Sequence, residues 1–396
     1  FFLGCDFMFI CGIDIAKFSH VASLIDSNSG VILFSNFKFN NDINGFSSFL
    51  EKISPFQDII LVLESTGHYT YNFINFFFKK SFNISLINPI STSHIRKASI
   101  RDVKNDHFDS INIAKTFIIN PFKLLDNNDL HSLNLKRLTR FRDDLVKQRA
   151  RFKIKLVAAV DIIFPELHSV FKAGIHSKAC YHILKKYPDK DKIAALNIHS
   201  LTKILCKVSR GRFKDSHASL LKSLASHSVG VSDFSLSIHI PQVIQSIEML
   251  DNQISVIEKN INHILNEINS VISSVPGISS NAAASILGEI GNINKFSSPS
   301  KLLAYAGLDP KIRQSGSFNA CSSRMSKRGS KYLRYTLIFT AWNLVRNNYT
   351  FKVYYESKRN QGKSHYQALG HVAHKLVRVL FKILSANIPF DENSLT

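Results

Sequence analysis

Three strand-like runs precede the first helical period in this chain, and that order restricts the fold more than any other feature. Phe9-Ile10-Cys11-Gly12-Ile13-Asp14-Ile15-Ala16 reads as a buried strand with Asp14 intruding into it. His20 to Asp26 and Val31 to Phe39 are two further apolar runs, joined by Ser27-Asn28-Ser29-Gly30, a hairpin loop by composition. Ile43 to Ile53 then places Ile43, Phe46, Phe49, Leu50 and Ile53 on one side of a helix. Asp58 to Glu64 is an apolar strand closed by a carboxylate. Ser65-Thr66-Gly67 turns into a helix from about Tyr69 to Lys80. Ile84 to Ile87 is a short strand ending at Asn88-Pro89, and Ser91 to Ile100 and Asp106 to Ile119 read as helices.

An antiparallel meander continued by α/β crossovers predicts a ribonuclease H-like arrangement. In an open α/β sheet, sites lie at strand ends. Asp14 sits on the first strand and Glu64 ends the fourth, while Asp106 and Asp109 share a face of the closing helix. By spacing alone that last pair is an acidic, solvated face. Two like charges at i and i+3 weaken a helix unless a cation offsets them. A carboxylate inside an apolar strand is costly unless paired or bound to metal. Asp14, Glu64, Asp106 and Asp109 together are the hard oxygen donors that Mg²⁺ takes for phosphoryl transfer.

The charge balance names a partner. Lys plus Arg number 50 against 29 Asp plus Glu, a net +21 with His neutral, which predicts a polyanion, nucleic acid first. A basic membrane-surface protein is the competing class, but no lipidation motif supports it. The opening run Phe1 to Ile10 has no basic segment and contains Asp6, so it reads as neither signal peptide nor membrane span. The five cysteines are scattered and form no C-x-x-C pair, which predicts no zinc site and fits a reducing cytoplasm. The 31 phenylalanines read as the composition of an AT-rich genome.

Beyond about residue 126 the character changes. Leu133 to Phe164 is basic and amphipathic, and reads either as a solvated face or as a phosphate-tracking helix. From Pro241, Ile247, Leu250, Ile254, Ile257, Ile261, Ile264 and Ile268 alternate spacings of three and four, a coiled-coil seam that could pack within the chain but is expected to pair between chains. Val275-Pro276-Gly277-Ile278-Ser279 feeds a helix from Asn281 to Ile290, whose first amides face either phosphate or a plain turn. Tyr305-Ala306-Gly307-Leu308 leads into Arg313-Gln314-Ser315-Gly316-Ser317, followed by Arg324, Lys327, Arg328, Lys331 and Arg334. A serine ringed by these cations is placed to hold a phosphate or to act as a stabilised alkoxide, although a bare Ser-Gly pair is weak evidence for either. Helices from Lys331 to Arg346 and Ser364 to Ser385 close the chain. His371 and His374 on the last one lack a third metal ligand and read as structural or phosphate-facing.

The ordered set resembles the DEDD-type insertion-sequence transposases, serine-using recombinases guided by a bridge RNA. Its pieces are Gly12-Ile13-Asp14-Ile15-Ala16-Lys17, Glu64-Ser65-Thr66-Gly67, Asn88-Pro89, Lys104-Asn105-Asp106-His107-Phe108-Asp109 and Pro165-Glu166. Val275 to Ile278, Tyr305 to Leu308, Arg313 to Gly316, Ser326 to Gly329 and Leu333-Arg334 complete it. Asn105 stands where the family usually has Thr. The resemblance implies a RuvC-like α/β catalytic domain (1–125), a helical coiled-coil linker and oligomerisation region (126–270) and a mainly α transposase domain (271–396). It implies that Asp14, Glu64, Asp106 and Asp109 bind Mg²⁺ and that Ser315 is the nucleophile. It also implies donor and target DNA, a guide RNA and a dimer-to-tetramer assembly. Arg313, Arg324, Lys327, Arg328, Lys331 and Arg334 are the expected nucleic-acid contacts, in a cytoplasmic, nucleoid-associated protein. Two other classes remain open at this point: a structure-specific nuclease of the same fold with water as nucleophile, and a non-catalytic nucleic-acid-binding protein.

Overall fold

A computed structural model describes residues 9–64, 68–87, 106–121, 123–171, 174–310, 314–315, 318–319 and 325–392, without the side chains of Asp106, His107 and the residues of 314–319. Ser65 to Gly67, Asn88-Pro89, the expected helix Ser91 to Ile100, Lys104-Asn105, Arg313, Gly316, Ser317 and Arg324 lie outside the described residues. The chain divides into two compact units, residues 1–130 and 131–396.

In the first unit the elements are β1 (Phe9–Ile15), β2 (Ser19–Asp26), β3 (Ile32–Asn40), α1 (Ile43–Ile53), β4 (Ile59–Glu64), α2 (Thr70–Phe78), β5 (Asn83–Ile87) and α3 (Asp106–Ile119). The sheet order is β3-β2-β1-β4-β5, with β1 antiparallel to β2 and parallel to β4. This mixed five-stranded sheet is consistent with the ribonuclease H-like expectation. Period-two alternation splits β1 between two cores. Cys11, Ile13 and Ile15 face α1 and α2, whereas Ile10 faces α3. The first face is aromatic. Phe39 stacks on Phe49 with ring centroids 4.4 Å apart, and Phe46, Phe73 and Phe77 close around them. Burying each such ring stabilises the unit by roughly 2–3 kcal/mol. Phenylalanines read from sequence as genome composition therefore form the aromatic centre of this core.

The second unit begins inside a long helix, α4 (Asn127–Ile163). Short helices follow: α5 (Leu167–Val170), α6 (Lys178–Lys186), α7 (Lys190–Ala194), α8 (Ile198–Ser209) and α9 (Asp215–Ser226). Then come α10 (Phe234–Ile268), α11 (Ser280–Ile290), α12 (Pro299–Ala306), the hairpin strands β6 (Gln314–Ser315) and β7 (Phe318–Asn319), α13 (Lys331–Asn347), α14 (Tyr349–Asn360) and α15 (His365–Ala386). Asp233 caps α10 by accepting from the Leu236 amide. Pro241, expected to start the helix, instead lies eight residues in, where it removes one amide from the hydrogen-bond ladder.

The α10 seam corrects the expectation of pairing between chains. Ile247, Leu250, Ile254, Ile257 and Ile261 are all buried within this chain. Arg142 pairs with Glu258, Arg149 with Asp251 and His131 with Glu267, so α4 and α10 run antiparallel. The lower half of the seam (Leu250 to Leu265) joins a core with α11, α13 and α15. Its upper end, Ile240 to Ile247, joins a second core with the end of α4 and the short helices. Among the described residues no helix is long and apolar enough to cross a membrane.

Candidate active site

Strand register places the first two acids. The parallel β1–β4 pairing runs to Ile13 opposite Leu63, so Asp14 and Glu64 follow as neighbours at the carboxyl ends of adjacent strands. Ile13 and Leu63 point into the aromatic core, so one step further both carboxylates turn to the opposite face, the one that α3 covers. Asp14 is opposite Val21 of β2 and Glu64 opposite Ile87 of β5. Both are half-buried.

The third acid arrives because Gly12 has no side chain. A Cβ there would lie 2.1 Å from the Ser110 carbonyl oxygen and 2.6 Å from the Ala114 nitrogen. Only glycine lets α3 approach β1 this closely. Ser110 is locked from the other side, its hydroxyl 2.7 Å from that of Ser23, the residue opposite Gly12. Ile111, Ile113, Ala114 and Phe117 fill the interface with Ile10, Ile60 and Val62. Half-buried Asp109 precedes the crossing by one residue, and Asp106 begins the same helix. Carboxylate oxygens gathered on one face are the donor class of a hard divalent ion. Among the described residues no three His, Cys, Asp or Glu side chains close into a metal-binding group; the Asp106 side chain lies outside the description.

In the second unit, Ser315 ends β6, where it pairs with Phe318 across a short hairpin. An isolated bridge between Pro310 and Met325 closes the base of that excursion. The base is held by two interlocked segments. The Lys327 amide donates to the Gly307 carbonyl, the Ser330 amide to Tyr305, and the Ser326 hydroxyl to the Asp309 carboxylate at 2.5 Å. Gly329, at φ 107, lies so close that a Cβ would meet the Tyr305 carbonyl oxygen at 2.1 Å. His374 reaches across from α15 to the Leu308 carbonyl, 3.0 Å away, which makes it structural; burial lowers its pKa despite that bond. Of the expected phosphate contacts, Lys327, Arg328 and Lys331 are exposed beside the hairpin base. Arg334 is half-buried and donates to the Ala306 carbonyl, so its guanidinium is engaged within the fold.

Sequence reasoning missed the charged centre of this unit. Glu289, 1% exposed, accepts from Arg140 Nε at 2.6 Å and Nη2 at 3.0 Å, and from the Ser330 hydroxyl at 2.7 Å. The Arg140 guanidinium also lies 4.6 Å from the Tyr332 ring centre. A glutamate among the small and apolar residues of α11 was the available signal. At the start of α11, the Ser279 hydroxyl accepts from the Ala282 amide, so one of the amides expected to face phosphate already has a partner. A cavity of about 240 Å³ opens there, lined by Arg140, Arg142, Ser279, Ser285, Tyr335 and Phe339 among others.

Known proteins match the chain over both units. A DEDD-type IS110 transposase family model matches residues 11–165, and a model of the IS116/IS110/IS902 transposase family matches residues 269–356. The 44.8 kDa protein of insertion element IS116 from Streptomyces clavuligerus is 23% identical over 380 residues, 94% of each chain. The 43.6 kDa protein of insertion element IS110 from Streptomyces coelicolor is 23% identical over 288 residues, 72% of this chain and 71% of its own. A pilin gene-inverting protein of Moraxella bovis is 28% identical over 148 residues, 37% of this chain and 46% of its own. One family model covers the acids of the first unit, the other spans the hairpin serine of the second, and relatives named for the same insertion elements match across both: the chain belongs to the DEDD-type IS110/IS116 family of insertion-sequence transposases.

Proposed function

We propose that this transposase cuts and rejoins DNA through a covalent phosphoserine at Ser315, with Asp14, Glu64, Asp106 and Asp109 as a Mg²⁺ site. The observation that carries the acid site is the shared face of Asp14 and Glu64 under α3, with Asp109 brought next to it by the Gly12 contact. Bound there, Mg²⁺ would supply positive charge where a phosphodiester gathers negative charge. Ser315 Oγ attacks phosphorus, an Oγ–P bond forms, and the P–O bond to the leaving strand breaks, its oxygen taking up a proton. Attack by the hydroxyl of a second strand reverses the step and frees the serine. Lys327, Arg328 and Lys331, exposed beside the hairpin, neutralise the DNA backbone. Gene inversion, named for the Moraxella relative, requires rejoining, and a hydrolytic nuclease would leave free ends. Arg313 and Arg324 join the DNA contacts in this reading. A guide RNA, and a dimer or tetramer in which the two kinds of site meet, complete it; assembly now rests on the family resemblance, since the α10 seam is buried within the chain.

Trapping on a nicked or junction substrate with Mg²⁺ is expected to yield a covalent protein–DNA adduct that Ser315→Ala abolishes. An adduct that persists in Ser315→Ala would sink the serine assignment. Free ends with no adduct, unaffected by that substitution, would replace it with water as the nucleophile.

A further inference from the structure

We infer that α13 carries a stacking surface for an unpaired DNA strand, made by Tyr335, Phe339 and Trp342 between the cations Lys331 and Arg346. The inference deepens the recombinase reading, on which its choice of DNA as partner rests. The five residues recur at spacings of four, four, three and four, so they lie along one face of the helix. That face spans about 22 Å. The other side of α13 is core: Leu333, Leu337, Ala341, Leu344 and Val345 are buried. The stripe is not. Tyr335 is 65% exposed, Phe339 50% and Trp342 37%.

Exposed aromatic rings at this spacing have few structural reasons to be there. The Tyr335 and Phe339 rings lie nearly parallel, 12° between planes and 6.2 Å between centres, on the wall of the cavity at the start of α11. Trp342 meets the edge of His365 at 5.1 Å, which fixes its orientation without covering it. Protein interfaces are also rich in Tyr, Trp and Phe, so the rings alone do not choose the occupant; the charge around them does. Here all three apolar members are aromatic, both ends are cationic, and Lys331–Asn347 contains no Asp or Glu. Flat π-faces flanked by positive charge are complementary to nucleobases flanked by phosphate.

Position along the chain selects the occupant. The stripe begins at Lys331, six residues after Met325, whose bridge to Pro310 closes the base of the Ser315 hairpin. A strand held at that hairpin runs onto the start of α13. Paired bases hide their faces in the stack, so the stripe engages the strand only where pairing has opened, as strand exchange requires.

Trp342 is the only tryptophan in the chain and reports on the stripe directly. The full-length protein, without divalent ion, is titrated with short oligo(dT) while Trp342 emission is followed. Quenching is expected, with a midpoint that rises with salt, whereas a duplex of equal length binds by anisotropy and leaves Trp342 unquenched. Tyr335→Ala and Phe339→Ala each weaken oligo(dT) binding on the order of tenfold, and Tyr335→Phe retains it. Both alanine variants change exposed side chains, and unchanged circular dichroism confirms that they fold. Equal quenching by duplex, tighter binding of oligo(rU), or unchanged affinity in both alanine variants overturns the proposal. So does a Trp342 blue shift on self-association without nucleic acid, which would mark the stripe as a protein interface. The readout needs neither Mg²⁺ nor the serine, so an absent covalent adduct with intact quenching would break the recombinase chemistry and leave the stripe standing.

Discussion

The two units hold their candidate chemistry by different means. In the first, Asp14 and Glu64 sit where parallel strands end, and their lateral placement follows from backbone register. Asp109 is added by a helix that presses on bare backbone at Gly12. In the second, Ser315 rides a two-residue strand whose base is tied down by amide-to-carbonyl bonds between residues 305–309 and 326–330. Rigid sheet suits the proposed metal ligands, which must converge on one ion; a tethered excursion suits the proposed nucleophile, which must reach a strand and let it go. Buried titratable groups are also distributed differently. A neutral His20 sits in the aromatic core of the first unit, while the Glu289–Arg140 pair sits under the hairpin base of the second.

Breaking that pair gives the largest expected effect on stability. Arg140→Met leaves the Glu289 carboxylate buried without its guanidinium partner, held by the Ser330 hydroxyl at 2.7 Å. The loss is about 3–5 kcal/mol, confined to the second unit, and is read as a drop of its melting transition with the first unit's unchanged. A common shift of both transitions would show that the units do not unfold independently.

Gly12→Ala comes next and attacks the first unit alone. Its Cβ lands on helix backbone, so α3 must move away from β1. The expected cost is about 3 kcal/mol, with Mg²⁺-dependent strand cleavage falling further than stability does, because Asp109 moves with the helix. Urea denaturation and a cleavage assay on the same preparation check it; wild-type cleavage in a destabilised variant would detach α3 from the site.

The smallest effect is a pH dependence. Burial among Phe39, Phe46 and Phe73 lowers the pKa of His20, against a weaker raising influence from Asn41. The unfolded chain, with an ordinary His value near 6.5, therefore binds the proton more readily than the folded one. Stability contributed by the neutral ring is complete above about pH 6.5 and declines as pH falls towards the lowered folded value, by up to about 1.4 kcal/mol per unit. His20→Phe flattens this slope in melts of the first unit between about pH 7.5 and about pH 5.

Much of the first unit was legible in its sequence. Alternating and continuous apolar runs mark β1 to β5, and turn chemistry at Ser27 to Gly30 marks the hairpin. Asp14 and Glu64 stood out as carboxylates in apolar strands. The middle of the chain was less readable. Residues 169–240 form short helices whose apolar positions face the ends of α4 and α10, too briefly for a period to emerge. Pro241 looked like a helix start because proline favours the first turn, and the Asp233 cap earlier in the chain was passed over.

By itself the sequence determined the local periods, the acids at strand ends, the positive charge and the ordered motifs, because each depends on residues near one another in the chain. Tertiary structure alone decided what covers the α10 seam. An apolar stripe of threes and fours is the same whether its partner helix comes from another chain or from α4, and charge pairs such as Arg142–Glu258, 116 residues apart, identify the partner only once the chain is folded. It also decided why residue 12 must be glycine, since the atom a side chain would strike belongs to Ser110, distant in sequence and adjacent only in the fold.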